Sequence, residues 1–336
     1  MDNEQQTTKR TIAIVAGGDS SEHDVSLRSA QGILSFMNKD LYDCYIIELT
    51  GKDWQALLPD GRKAPMDKGN FSFVSKGKTI HPDFAYITIH GAPGENGILQ
   101  GYLELLGIPY STSGVLVEAL TFNKYFLNQF LRPFGILVAD SVLLRRESKM
   151  MPSEKEILDK VGLPCFVKPS ADGSSFGVTK VKAAEELFPA IQKAMQEGDE
   201  VMVEQFMDGR EITCGCYKTR DRECILPITE VVTENEFFDY DAKYRGQVDE
   251  ITPARISPET AQRVGVLTSR LYDLLGCKGI IRIDYILSGK EGAEEIHLLE
   301  INTTPGMTTT SFIPQQVRAA GMEMADVLSE IIENNF

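Results

Sequence analysis

Residues 11–16 (TIAIVA) form a short apolar run ending in Gly17-Gly18, the pattern of a buried strand. Ser21-Glu22-His23-Asp24 follows with the spacing of a capping box, and Val25, Ala30, Ile33, Leu34 and Met37 recur behind it at helical intervals. Strand, glycine turn and helix in that order predict an α/β unit with a ligand site at the strand's C-terminal end. A second apolar run, residues 84–89, leads into the glycine-rich turn HGAPGENG. Residues 99–106 then read as a helix, and IPYSTSG closes the unit near residue 115.

A new unit begins with a helix around residues 118–131. VGLPCFVKPS reads as a strand ending in Lys168-Pro169, and ADGSSFGVTKV as a small-residue hairpin. An amphipathic helix over residues 185–195 and a strand over 201–206 complete this unit. The last unit carries strands near 211–217 and 224–232, then the polar aromatic stretch FFDYDAKYRGQVDEITPA. Pro258 suits the first position of a helix with Val264, Leu267, Leu271 and Leu274 on one face and Gly276 beyond its end. Strands over 280–287 and 296–302 precede a glycine turn, and Met324, Val327, Leu328, Ile331 and Ile332 mark a closing amphipathic helix. No internal repeat or low-complexity linker is visible.

Composition narrows the function classes. With 336 residues there is room for two or three domains and a sizeable core. The 34 Lys and Arg against 49 Asp and Glu leave a charge of −15, so no general basic field exists to neutralise a nucleic acid. No apolar run approaches the roughly 18 residues of a membrane span, and the polar N-terminus does not read as a secretory signal. Six cysteines without zinc-ligand spacing read as free structural thiols, which fits a reducing cytoplasm. Cys214 and Cys216 stand two apart and share a face of their strand.

The strongest chemical signal is a pair of strands. In Ile281-Arg282-Ile283-Asp284-Tyr285 a period of two places Arg282 and Asp284 on one face, and in Leu298-Leu299-Glu300-Ile301-Asn302 it places Glu300 beside Asn302. The short polar joint SGKEGAEE makes them an antiparallel hairpin. Two carboxylates and an amide oxygen suit Mg²⁺ shared with phosphates, and a guanidinium beside them suits a phosphoryl group or an oxyanion. Thr303-Thr304-Pro305-Gly306 follows, with a glycine that allows close backbone approach. The second signal is Asp172-Gly173-Ser174-Ser175-Phe176-Gly177, backbone N–H groups and hydroxyls directly after the strand that bears Lys168. Lys124 adds a second point charge. Neither G-x-x-x-x-G-K-[ST] nor G-x-G-x-x-G occurs at these positions, which excludes a P-loop and a dinucleotide fingerprint.

Taken together, VKPS…DGSSFGV, FDYDAKY, GCKGIIRIDY and LLEINTTPGMTTTS resemble the D-alanine–D-alanine ligase family of ATP-grasp enzymes. GGDSSEHDVS and HGAPGENGILQGYLELLGIPY match the family's first domain, so the resemblance runs in order from about residue 11 to the C-terminus. It implies an α/β, three-domain ATP-grasp architecture: a doubly wound N-terminal domain (1–117), a central domain with the Gly/Ser phosphate loop (118–208) and a C-terminal domain (209–336) with the metal site and a lid loop at 236–252. ATP would be gripped between the last two.

Position by position, the resemblance implies that Glu22 receives the ammonium of the first D-alanine, with His90 near it and Ser174 and Tyr244 closing over the site. Lys124, Lys168 and Ser175 would contact ATP, Lys243 the transferred phosphate, Glu204 with Gln205, Phe206 and Met207 the adenine, and Glu211 the ribose. Asp284, Glu300 and Asn302 would bind two Mg²⁺ ions, with Mn²⁺ as a substitute. Arg282 and the Gly306 N–H would form the oxyanion site, and Ser311 would hold the second carboxylate. The implied setting is a cytoplasmic homodimer making peptidoglycan precursor, with D-alanine and ATP as small-molecule partners and neither membrane nor nucleic acid involved. His23 departs from the family's usual arginine, and Ala92-Pro93 and Asn96 vary its glycine turn; His81 and His297 read as structural or surface residues. The alternatives are a D-alanine–D-lactate ligase, against which Tyr244 argues, another carboxylate–amine ligase of the same fold, and a nucleotide-binding module without catalysis, against which the full set Lys168, Arg282, Asp284, Glu300 and Asn302 argues.

Overall fold

The computed structural model describes residues 9–171, 177–233 and 248–336. The first sheet is built from β1 (Arg10–Gly17), β2 (Tyr42–Thr50), β3 (Asp53–Leu57) and β4 (Lys63–Pro65); β5 (Phe73–Ser75) and β6 (Lys78–Ile80) form a separate hairpin, and β7 (Phe84–Ile87) completes the order β4-β3-β2-β1-β7. β1 runs parallel to both β2 and β7. A parallel centre is covered on both faces, which is why TIAIVA is apolar without alternation. Ile12, Ile14 and Ala16 pack against the helices His23–Phe36 and Met324–Glu333, whereas Ala13 and Val15 face the helix Ile98–Leu106. The last helix of the chain therefore completes the core of the first sheet.

β8 (Ser141–Arg145), β9 (Cys165–Pro169), β10 (Thr179–Val181) and β11 (Glu200–Gln205) form an antiparallel sheet ordered β10-β9-β11-β8. The helices Glu154–Val161 and Leu187–Glu197 cover one face through Ile157, Val161, Leu187 and Ile191. The third sheet takes β12 (Arg210–Lys218), β13 (Glu223–Ile225), β14 (Thr229–Thr233), β15 (Val248–Ile251), β16 (Ile280–Ser288) and β17 (Glu295–Asn302), with β12 and β17 flanking β16. The helix Pro258–Leu275 lies on its inner face against Ile212, Cys214, Cys216, Ile281 and Ile283. Ser257 caps that helix and Gly276 ends it in the left-handed region at φ 69°.

Four local expectations change. The capping box is not made: the helix starts at His23, and the Ser20 hydroxyl instead accepts from the Glu22 N–H at 3.2 Å and donates to the His90 carbonyl at 2.7 Å. The helix over 118–131 is two, Val115–Phe122 and Lys124–Leu131, because Asn123 is extended and its side chain caps the second by accepting from the Phe126 N–H. The strand over 84–89 ends at Ile87, and the stretch 224–232 divides into β13 and β14, both paired with β12.

Candidate active site

A cleft of about 870 Å³ opens between the three sheets. The turn after β1 and the helix behind it present Glu22 and Arg28, and the turn after β7 presents His90 and Glu95. The second sheet contributes Phe166, Lys168 and Glu204, with Gln205, Phe206 and Met207 continuing along the wall. The third contributes Glu211, Arg282, Asp284, Glu300 and Asn302, and the turn beyond β17 adds Gly306 and Ser311. Lys124 enters from the start of its helix. The expected residues thus line one space, apart from Ser174, Ser175, Lys243 and Tyr244, which lie outside the described residues, as does most of the expected lid.

The β16–β17 hairpin forms as expected, with Arg282 opposite Asn302 and Asp284 opposite Glu300. One irregularity matters. The register shifts beyond Asp284, so that Tyr285 pairs with Leu298 and Leu299 is the extra residue of a bulge. Strict alternation would send Leu298 and Ile301 to opposite faces; the bulge lets both enter the same core while Glu300 and Asn302 face the cleft. It reconciles packing with the site.

Arg282 holds Asp284 in a fork, Nε to Oδ1 at 2.9 Å and Nη2 to Oδ2 at 2.8 Å. The Asn302 amide donates to Asp284 Oδ2 at 3.1 Å, and the Thr213 hydroxyl donates to Oδ1. Burial opposes the charge on Arg282, yet Asp284, Glu300 and Glu211 outweigh it and hold the guanidinium pKa above its usual range. The guanidinium also lies 5.2 Å from the Phe312 ring centroid. Such a group stays charged and oriented, as an anion-stabilising donor must.

Lys124 lies 3.6 Å from Glu300, and Lys168 forms an ion pair with Glu204, which also accepts from the Asn128 amide at 3.3 Å. Both lysines therefore stand on carboxylates of the cleft wall. The Gln205 N–H bonds to the Asp140 carbonyl at 2.8 Å, which ties this part of the wall to the strand edge. Ser311 accepts from the Thr308 N–H at 3.1 Å and shares a 2.7 Å hydrogen bond with the Thr308 hydroxyl, at the N-terminus of the helix Phe312–Ala319. A Cβ on Gly306 would come 3.0 Å from the Ser311 hydroxyl, so glycine keeps this turn tight. His90 is buried, with Nε2 3.5 Å from the Ser29 hydroxyl.

Asp284, Glu300 and Asn302 fit a hard cation: their donor atoms are oxygens, they occupy facing register positions, and they share a wall with the lysines. Among the described residues, no group of three or more His, Cys, Asp or Glu side chains is placed to hold a metal ion by itself. Two carboxylates and one amide suit Mg²⁺, which commonly completes its shell with substrate phosphates and water.

Three residues escaped the sequence reading. Glu95 accepts from the Gly91 N–H at 2.6 Å, and burial raises its carboxyl pKa although His90 opposes the rise. Its signal was present in HGAPGENG, a carboxylate inside a ligand-facing glycine turn. Arg28 lies on the helix behind Glu22, two turns on, where charge alone gives no direction. Glu250 is also raised by burial and accepts from Gln315.

Family models for the N-terminal and C-terminal parts of D-ala D-ala ligase match residues 11–113 and 130–333. A D-alanine–D-alanine ligase of Phocaeicola vulgatus is 63% identical over 328 residues, covering 98% of this chain and 100% of that one. Among solved structures, the VanG D-Ala:D-Ser ligase of Enterococcus faecalis superposes with a TM-score of 0.85 at 30% identity, covering 98% of this chain and all of that one. The D-alanine–D-alanine ligase of Bacillus anthracis complexed with ATP superposes with a TM-score of 0.75 at 30% identity, with 97% of each chain covered. One mixed and two antiparallel sheets around one cleft are the α/β ATP-grasp architecture that the motifs implied, and the chain belongs to the D-alanine–D-alanine ligase family.

Proposed function

We propose that this chain joins two D-alanine molecules at the expense of ATP, giving D-alanyl-D-alanine for peptidoglycan precursor synthesis. The observation that carries the reading is the Arg282–Asp284 fork facing Glu300 and Asn302 across the β16–β17 hairpin, in a cleft that also holds Lys124 and Lys168. The two family models and the relative at 63% identity support the same reaction.

A carboxylate is a poor electrophile, so amide formation requires its activation. ATP lies between the second and third sheets, with Lys124 and Lys168 at its phosphates, the wall from Glu204 to Met207 along the adenine and Glu211 at the ribose. Lys168 exchanges Glu204 for phosphate oxygens when nucleotide enters. Asp284, Glu300 and Asn302 hold Mg²⁺, which when bound spreads the charge of the phosphate oxygens. The first D-alanine sits with its ammonium toward Glu22, beside His90. Its carboxylate oxygen attacks the γ-phosphorus, the bond to the β-phosphate oxygen breaks, and ADP leaves an acyl phosphate. The amine of the second D-alanine, held at its carboxylate by Ser311, then attacks the acyl carbon. Arg282 and the Gly306 N–H stabilise the tetrahedral oxyanion, and phosphate departs as the amide forms. Ser175 is assigned to ATP and Lys243 to the transferred phosphate, and Ser174 and Tyr244 to closing the site against water, which would hydrolyse the acyl phosphate.

We assign the three units 1–117, 118–208 and 209–336 to first-substrate binding, nucleotide gripping and catalysis, within a cytoplasmic homodimer. No helix among the described residues is long and apolar enough to cross a membrane. Exposed Ile98, Leu105 and Leu116 on neighbouring helices offer apolar surface for self-association, which light scattering of the purified protein measures. The VanG relative, named for D-serine at the second position, makes a second acceptor the one alternative with a specific observation behind it. The acyl phosphate is tested with D-alanine labelled with ¹⁸O in its carboxylate. One labelled oxygen per turnover appears in the released phosphate; unlabelled phosphate accompanying dipeptide formation overturns the mechanism.

A further inference from the structure

One carboxyl group near the cleft has no part in the chemistry above. Glu118, in the helix Val115–Phe122, is wholly buried. Its Oε2 accepts a 2.5 Å hydrogen bond from the hydroxyl of Thr303, a residue 185 positions away in the turn that follows β17. Its Oε1 has no hydrogen-bond partner. Burial drives the carboxyl pKa well above its ordinary range; Thr303, Thr112 and the Ser113 N–H only partly offset this, and nearby Glu95 reinforces it. A buried carboxyl is costly, and an apolar side chain would fill a helix–turn contact at lower cost. Such a group is retained where its hydrogen bond does something that packing cannot.

The position of Thr303 says what that is. It stands between Asn302, assigned above to the metal, and Gly306, whose N–H is assigned to the oxyanion. Other ties link this turn to the first unit: the Thr304 hydroxyl reaches the Ile89 carbonyl at 3.4 Å, the Thr304 side chain also bonds to the Glu95 carboxyl, and the Met307 N–H reaches the Ser29 hydroxyl at 3.4 Å; the Glu118–Thr303 bond, at 2.5 Å, is shorter than the 3.4 Å pair. On its far side Glu118 neighbours Thr112, whose hydroxyl accepts from the Gln100 amide at 3.0 Å, while the same amide holds the Gly94 carbonyl at 2.6 Å. One short chain of polar contacts thus runs from the turn carrying His90 and Glu95, through Glu118, to the turn carrying Asn302 and Gly306.

We infer that Glu118 is a positioning residue of the ligase reaction, whose hydrogen bond to Thr303 fixes the metal- and oxyanion-bearing turn against the first-substrate turn. The inference rests on the proposed function, and the wild-type enzyme separates the two: absent dipeptide formation by wild type overturns the function, whereas the inference is read from ratios among active variants. E118A leaves the Thr303 hydroxyl without its acceptor, and losing one aligned hydrogen bond lowers kcat about tenfold or more. ADP affinity and the KM for ATP stay within about threefold, because Glu118 lies outside the nucleotide wall. E118Q keeps an oxygen that accepts from Thr303, and restores kcat to within about threefold of wild type. T303V reproduces the loss by removing the donor, and E118A/T303V is no slower than either single variant. If E118A fails to fold, E118Q and T303V carry the test: retained kcat in the first with a tenfold loss in the second supports the inference. It is overturned by wild-type kcat in E118A or T303V, by a loss in E118Q equal to that in E118A, or by single losses that multiply in the double variant.

Discussion

The Arg282–Asp284 fork joins two oppositely charged side chains of one strand at the cleft. Arg282 lies on the rim of opposing demands: buried, yet kept charged by Asp284, Glu300 and Glu211. If Arg282 is the oxyanion donor proposed above, its replacement by alanine is expected to lower kcat by about two to three orders of magnitude while ADP still binds in titration calorimetry. Turnover near the wild-type level in R282A removes Arg282 from the oxyanion site. Glu118 makes a different prediction, about stability. Its carboxyl pKa is raised on folding, so its favourable contribution is complete below the unfolded-state value of about 4.3 and is lost as pH rises through the folded value. E118Q, which does not ionise, is therefore expected to gain stability relative to wild type as pH rises from acid to alkaline in denaturant titrations. A difference that stays constant with pH contradicts the buried, protonated assignment. Arg282, Asp284, Glu300 and Asn302 were legible in the sequence because a period of two fixes their common face. Glu118 was not, because its burial depends on a turn that reaches it only in the folded chain.

Local signals mark the long elements and miss the joints. The closing helix buries Met324, Val327, Leu328, Ile331 and Ile332, the five positions that its spacing picked out. Short edge strands such as β4, β5 and β6 have three residues each, too few for a period to register. The bulge at Leu299 is invisible for a related reason: nothing in LLEIN states that two residues will face one. Asn123 breaks a run that reads as one helix, and its role is a prediction. It caps the helix that begins with Lys124, accepts from the Ser170 hydroxyl at 2.7 Å and donates to Glu200 at 3.1 Å. N123A is expected to cost about 1–2 kcal/mol in urea unfolding, as lost helix caps do. A cost near zero contradicts the cap. Gly279 is stricter still. Its φ is +66° and a Cβ there would fall 1.8 Å from the Ser111 carbonyl oxygen, so the approach of β16 to the first unit depends on glycine. G279A is expected to destabilise by about 3 kcal/mol or more, or to prevent soluble expression; wild-type stability in that variant refutes the contact.

At the scale of the molecule, the cleft exists because three sheets are brought to one place, and the chain's two ends secure it. The helix Met324–Glu333 packs on the face of the first sheet, and Glu333 accepts from Arg10 at 3.2 Å and from the Tyr42 hydroxyl at 3.0 Å. The helix His23–Phe36 approaches the turn after β17 so closely that a Cβ on Gly32 would meet the Met307 carbonyl at 2.3 Å. The sequence showed which residues line the cleft, but these contacts between distant segments have no local signature. The charge of −15 belongs to the surface; the site gathers Lys124, Lys168 and Arg282 against its own carboxylates. The most direct test of the account is to identify the products when purified protein, ATP and Mg²⁺ are given D-alanine, L-alanine, D-serine and D-lactate, singly and in pairs. The expected outcome is D-alanyl-D-alanine as the main product, with one ADP and one phosphate for each dipeptide. Preferred formation of a D-lactate or D-serine product, or dipeptide from L-alanine alone, contradicts it.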